Sequence, residues 1–85
     1  MKTKIKICGI TNLKNALEAV ELGVDALGFV FFKASPRYIQ PRKARKIIDS
    51  LPPFVFRVGL FVNATKDEVL SAISDSRVNV LQFHG

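Results

Sequence analysis

The sequence predicts an α/β protein built on parallel strands, and two observations carry that prediction. Strand-like apolar segments alternate with segments whose apolar residues recur at helical spacing, with no linker or low-complexity tract between them. The strand-like segments begin near residues 4, 26, 54 and 79, at spacings of 22, 28 and 25, which is the length of one βα unit.

Residues 4–8 read as a short first strand. Thr11-Asn12 then offers an N-cap, and Leu13, Ala16, Leu17 and Val20 form the stripe of a first helix, which Gly23 closes in the left-handed conformation. Residues 26–32 are a continuous apolar run containing a glycine, the pattern of a strand buried on both faces. A polar loop with Ser35-Pro36-Arg37 follows. Pro41 suits the first turn of a second helix, whose stripe is Ala44, Ile47, Ile48 and Leu51. Pro52-Pro53 stops it, because proline lacks the amide hydrogen of a helix interior. Residues 54–62 give a third strand. Thr65 and Glu68 form a capping box for a third helix, with Val69, Ala72 and Ile73 as its stripe. Residues 79–83 are a fourth strand, followed by His84-Gly85.

The order is therefore β-α-β-α-β-α-β. Right-handed crossovers put all the helices of such a run on one face. Two architectures satisfy this: a small two-layer sheet with one bare face, or the first half of a (β/α)8 barrel. Eight units of roughly 25 residues give about 200 residues, the usual barrel range. Alternation within the strands favours the barrel, with a helix-covered outer face and a mixed inner face. Ile5 and Ile7 oppose Lys6 and Cys8; Phe56, Val58 and Leu60 oppose Arg57 and Gly59; Leu81 and Phe83 oppose Gln82 and His84. In the second strand Phe29 and Phe31 oppose Gly28, Val30 and Phe32, so a bare face there exposes apolar groups. Two unpaired edges are also a liability for a monomer. Residues 1–85 are thus expected to be the amino-terminal part of one barrel domain.

Composition agrees with a folded domain: 48% of residues are apolar and 24% charged. No apolar run reaches the roughly 18 residues of a membrane span. The basic start, Met1-Lys2-Thr3-Lys4, has no signal-peptide core behind it, and a single cysteine forms no internal disulfide. A cytoplasmic location is expected. The net charge is +6, from 13 basic and 7 acidic residues, which suits an anionic partner. Arg42, Lys43, Arg45 and Lys46 flank the apolar stripe of the second helix, so a solvated face describes them better than a nucleic-acid patch. There is no nucleotide-binding glycine fingerprint, and no Cys/His cluster suggests a metal site.

Three residues stand where parallel α/β folds gather their chemistry, at the carboxyl ends of strands. Cys8 ends the first strand; it reads either as a thiolate base helped by nearby positive charge, or as a buried structural cysteine. Arg37, after the second strand, suits a carboxylate or phosphate, or is an exposed loop arginine. His84 ends the fourth strand on the face of Gln82; it reads as a substrate contact or a proton carrier, or as a solvent-facing or hydrogen-bonded histidine.

Lys6-Ile7-Cys8-Gly9-Ile10-Thr11 resembles the amino-terminal signature of the phosphoribosylanthranilate isomerase family. Gly28-Phe29-Val30-Phe31, Ser35-Pro36-Arg37-Tyr38-Ile39, Val58-Gly59-Leu60-Phe61-Val62-Asn63 and Leu81-Gln82-Phe83-His84-Gly85 follow in the family's order, with Phe83 where leucine is usual. The resemblance covers the whole chain and implies a single (β/α)8 (TIM) barrel. It implies an Amadori rearrangement of N-(5′-phosphoribosyl)anthranilate to the ribulose-phosphate isomer in tryptophan biosynthesis, with no metal or organic cofactor. Cys8 is then the general base and Arg37 the group that holds the anthranilate end, while His84 lies near the site without an assigned step. The family's acid stands on a fifth strand and its phosphate grip after the seventh and eighth. Asp25, Asp49, Asp67 and Asp75 offer no replacement for that acid, so the 85 residues alone are expected to have little or no activity. The alternatives are another sugar-phosphate barrel enzyme, a half-barrel that self-associates through its first and fourth strands, and a basic binding module.

Overall fold

Four parallel strands and three helices alternate in the predicted order in a computed structural model that describes residues 3–84. Met1 and Lys2 of the basic start, and Gly85 of the last motif, lie outside the described residues. The elements are β1 (Lys6–Ile7), α1 (Leu13–Glu21), β2 (Ala26–Val30), α2 (Pro41–Ile48), β3 (Phe56–Val62), α3 (Lys66–Ser76) and β4 (Val80–His84). The strands lie side by side in the order β1-β2-β3-β4, all parallel, so β1 and β4 are the two edges. Among the described residues no helix is long and apolar enough to cross a membrane.

Local sequence signals set the helix ends. The Asn12 side chain accepts from the Asn15 amide at 2.8 Å and caps α1. Gly23, at φ 88°, turns the chain out of that helix. Pro41 occupies the first turn of α2. The capping box of α3 is complete: Thr65 Oγ1 accepts from the Glu68 amide, and Glu68 Oε1 accepts from the Thr65 amide, each at 3.1 Å. α2 ends at Ile48, short of Pro52-Pro53, and the intervening residues turn toward β3.

The core lies between the sheet and the helices. Leu27 and Phe29 of β2 are completely buried against Ala16 and Ala19 of α1 and Ala44, Ile47 and Ile48 of α2. Leu51 and Val55 close the bottom of this core. The α2 stripe is buried as its spacing predicts. The α1 stripe is rotated: Ala16 and Ala19 are buried, while Leu13 and Leu17 remain 40% exposed. Those two leucines belong to the helix beside edge strand β1.

The third strand also differs from the simple alternation. Register pairs Leu27 with Arg57 and Phe29 with Gly59, so Arg57, Gly59 and Phe61 face the helices. Phe56, Val58 and Leu60 turn to the opposite face. The cause is local. Arg57 donates to the carbonyl oxygens of Val55 (2.8 Å), Pro52 (3.2 Å), Leu51 (3.4 Å) and Pro53 (3.5 Å), satisfying a connection that two prolines leave poor in donors. Gly59 leaves room for Phe31, Phe61 and Val78, and Phe31, Phe61 and Phe83 form a ladder with centroids 5.6 Å apart. Ser76, completely buried, donates to the Ala72 carbonyl at 2.6 Å and accepts from the Val78 amide.

The sheet is curled. In a flat sheet β1 and β4 stand about 14 Å apart, three strand spacings. Here Lys6 Nζ of β1 donates to Gln82 Oε1 of β4 across the face away from the helices. That face is concave, and it carries Lys6, Cys8, Gln82 and His84. Curl, parallel order and one-sided helices together make this four strands and three helices of a (β/α)8 barrel.

Candidate functional site

Cys8 stands just beyond the end of β1, half-buried, with a free thiol. The chain then turns at Gly9, at φ 84°, and the amides of Gly9 and Ile10 both donate to the Gly28 carbonyl at 3.0 Å. This fork pins the end of β1 to β2. Gly28 also makes room for the cysteine. A Cβ at position 28 would stand 2.9 Å from Cys8 Sγ and 3.2 Å from Cys8 Cα.

Arg37 sits on the loop after β2, exposed, but its backbone is fixed. Its amide donates to Ser35 Oγ at 3.1 Å, and the Ile39 amide returns to the Val30 carbonyl at 3.0 Å. The Arg37 side chain lies over Gly9: any Cβ there would strike Arg37 Cδ and come within 3.2 Å of Nη1. Gly9 is therefore needed twice, for its left-handed backbone and for the arginine above it. Cys8, Gly9 and Arg37 line one cavity of about 490 Å3, with Asn15 and Glu18 of α1 on its wall. A second cavity, about 470 Å3, is lined by Lys33, Asp67 and Asp75 and holds none of the three candidate residues.

His84 ends β4, at the same end of the sheet but on the far edge. Its Nε2 stands 2.9 Å from Gln82 Nε2, and Gln82 Oε1 accepts from Lys6. No hydrogen bond joins His84 to Cys8 or Arg37 among the described residues. The fold thus brings Cys8 and Arg37 together and sets His84 across the concave face. Lys6–Gln82 and Cys8–His84 are pairs with the same sequence separation of 76, one step apart along both strands. Lys6 and Gln82, which sequence reasoning left unassigned, share this face; the period of two, which puts them beside Cys8 and His84, is the signal that marks them. No group of three or more His, Cys, Asp or Glu residues stands close enough to hold a metal ion among the described residues.

The two arginines of α2 are engaged in ion pairs. Arg42 pairs with Asp75 at 4.0 Å and Arg45 with Asp49 at 3.8 Å, both solvent-exposed contacts of small energetic weight.

A parallel, helix-backed sheet with a thiol and a guanidinium at its carboxyl ends defines part of a (β/α)8 barrel with an enzyme-like site. Comparison with known proteins then gives the particular family. The model for N-(5′-phosphoribosyl)anthranilate isomerase matches residues 5–85, and the chain belongs to that family. The isomerase of a Sulfurovum species is 57% identical over 81 residues, covering 95% of this chain and 41% of the relative. That of Thermotoga maritima is 55% identical over 82 residues, covering 96% and 40%. The crystal structure of the Thermotoga maritima enzyme superposes with a TM-score of 0.96 at 54% identity, over 99% of this chain and 41% of that one. The Thermus thermophilus enzyme gives 0.95 at 48% identity, over 98% and 42%. A further isomerase structure, with a TM-score of 0.96 at 54% identity over 99% of this chain and 43% of that one, holds reduced 1-(o-carboxyphenylamino)-1-deoxyribulose 5-phosphate. The chain spans about two fifths of the length of the curated relatives it matches.

Proposed function

We propose that residues 1–85 are the amino-terminal part of a single barrel domain that isomerises N-(5′-phosphoribosyl)anthranilate by Amadori rearrangement in tryptophan biosynthesis. The supporting observation is the pairing of Cys8 and Arg37 at one strand end, each set in place by its own glycine. The family match favours this substrate over that of another sugar-phosphate barrel. The product-like ligand of the relative, which carries a carboxyphenyl and a phosphate group, fits the same reading.

In this reading Arg37 holds the anthranilate carboxylate with paired N–H donors. Cys8, as thiolate, removes the proton from the sugar carbon next to the iminium. The electron pair left on that carbon forms a double bond to the former iminium carbon while the C=N π pair moves onto nitrogen, giving the enaminol, which tautomerises to the ketone. His84 contacts the substrate. Opening the sugar ring needs an acid, and the phosphate needs a grip; both belong to barrel strands beyond the fourth. No metal or organic cofactor enters the chemistry, and the location is the cytoplasm. The 85 residues alone have little or no activity and self-associate through the open edges of β1 and β4, where Ile5, Leu81 and Phe83 are exposed.

A chimera tests this. Residues 1–85 replace the matching segment of the Thermotoga maritima isomerase, and turnover of phosphoribosylanthranilate is followed. The chimera is expected to turn over, and Cys8→Ala to lower its rate by about 10²–10⁴-fold. A folded chimera without turnover, or one indifferent to Cys8→Ala, overturns the assignment.

A further inference from the structure

We infer that Lys6 and Gln82 are positioning residues that lock His84 into a single tautomer, with its proton on Nδ1. The inference rests on the isomerase reading only for what His84 then touches.

A lysine ammonium has three donors and no acceptor. The group of Gln82 that meets Lys6 must therefore be the amide oxygen, and Oε1 is the atom in contact. That fixes the other end of the amide. Nε2, a donor only, points at His84 Nε2 across 2.9 Å. A hydrogen bond forms there only if the imidazole nitrogen offers a lone pair. The neutral ring then carries its proton on Nδ1. Charge on one strand is relayed through an amide to choose a proton position on another.

The relay runs from β1 to β4 along the concave face, and its members are partly or fully exposed rather than sealed in the core. A floor of this kind does not come from packing. Ala26, Gly28 and Val30 lie on the same face of β2, between the two strands, and offer no polar side chain to compete for Lys6 or Gln82. The Lys6 ammonium thus selects the orientation of Gln82, and Gln82 selects the tautomer.

The consequence is chemical. With Nε2 engaged as an acceptor, His84 is not the base of the reaction. It offers one N–H, at Nδ1, and takes an oxygen acceptor: a carboxylate, phosphate or sugar oxygen of the phosphosugar substrate. Proton abstraction stays with Cys8.

Histidine in the full-length chimera is labelled with nitrogen-15, and the His84 imidazole is assigned as the spectrum that His84→Asn removes. Long-range proton–nitrogen correlation in mildly alkaline buffer reads which nitrogen is bare. The expected result is a protonated Nδ1 and a bare Nε2. Gln82→Glu puts an acceptor where the amide donated, and is expected to move the proton to Nε2. Lys6→Met frees the amide and is expected to give exchange-averaged nitrogens. A parent spectrum with Nε2 protonated, or with both nitrogens averaged, overturns the inference. So does a Lys6→Met spectrum unchanged from the parent. The readout needs no substrate, so it stands or falls independently of the chimera's turnover.

Discussion

Replacing Arg57 with methionine tests how a charged residue comes to face the helices. The guanidinium makes one short hydrogen bond, 2.8 Å to the Val55 carbonyl, one of 3.2 Å to Pro52, and two longer ones to Leu51 and Pro53. Hydrogen bonds from charged groups contribute about 1.5–3 kcal/mol each when well made. Only the first approaches that value here, and the side chain is half-exposed, so water rehydrates part of what is lost. Methionine keeps much of the aliphatic stem. The expected loss is therefore about 2–3 kcal/mol, well below the sum of four bonds. Arg57→Lys keeps one donor direction but not the fork, and is expected to lose about 1–2 kcal/mol. Urea unfolding followed by far-ultraviolet circular dichroism measures both. With a slope of about 1 kcal/mol/M for a domain this small, the midpoint moves by about 2–3 M for methionine. A methionine variant within about 0.5 kcal/mol of the parent would show that the carbonyls are satisfied without Arg57, and would sink the account of β3.

Three further outcomes follow from the packing. Gly28→Ala puts a methyl against Cys8 Sγ and Cα, and is expected to cost about 1–3 kcal/mol as overpacking. Because Cys8 is the single cysteine, its rate of labelling by a thiol reagent reports the displacement; an unchanged rate contradicts the geometry. Phe29→Ala empties the completely buried centre of the core, and chemical denaturation should show a loss of about 3–5 kcal/mol. Thr65→Ala removes one half of the capping box, with an expected loss of about 1 kcal/mol. The Thr65 backbone and side-chain hydrogen bonds hold the Glu68 carboxyl below its usual value of 4.5. A carboxyl lowered by folding stabilises above its unfolded value and ceases to do so as pH falls through the folded one. The melting-temperature gap between parent and Glu68→Ala should therefore narrow below pH 4.5, and a gap constant down to full protonation would refute the carboxylate's share of the cap.

The parts of the fold that read directly from the sequence are those set by near neighbours. Ala44, Ile47 and Ile48 form a stripe because a helix turns at a fixed angle, and all three are buried, with Leu51 buried in the turn beyond. Thr65 and Glu68 find each other three residues apart. Leu13 and Leu17 follow the same helical rule, yet stay half-exposed, because burial also needs a neighbouring element and theirs is an edge. The alternation puts Arg57 on the inner face of the sheet, and Ser76 carries no signal in the sequence. Their partners are backbone carbonyls and amides, which carry no mark in a sequence of side chains. At the site, strand ends point to Cys8, Arg37 and His84. The seating of Arg37 on Gly9 is legible only once β1 and β2 are paired, and the Lys6–Gln82 contact only once the sheet is curled. Sequence alternation gives the face; curvature decides who meets across it.

The β4 edge has a consequence for handling residues 1–85 in isolation. Val80, Leu81 and Phe83 expose 37%, 39% and 62% of their surface on a strand that pairs on one side only. Such a strand is a template for stacking another chain. The opposing force is colloidal: copies carrying a net charge of +6 repel one another. That repulsion reaches about 8 Å at physiological ionic strength and shrinks to about 3 Å at 1 M salt. Solubility of the isolated segment is thus governed by salt and by anions in the buffer, and low ionic strength, not high, is the condition that keeps it dispersed.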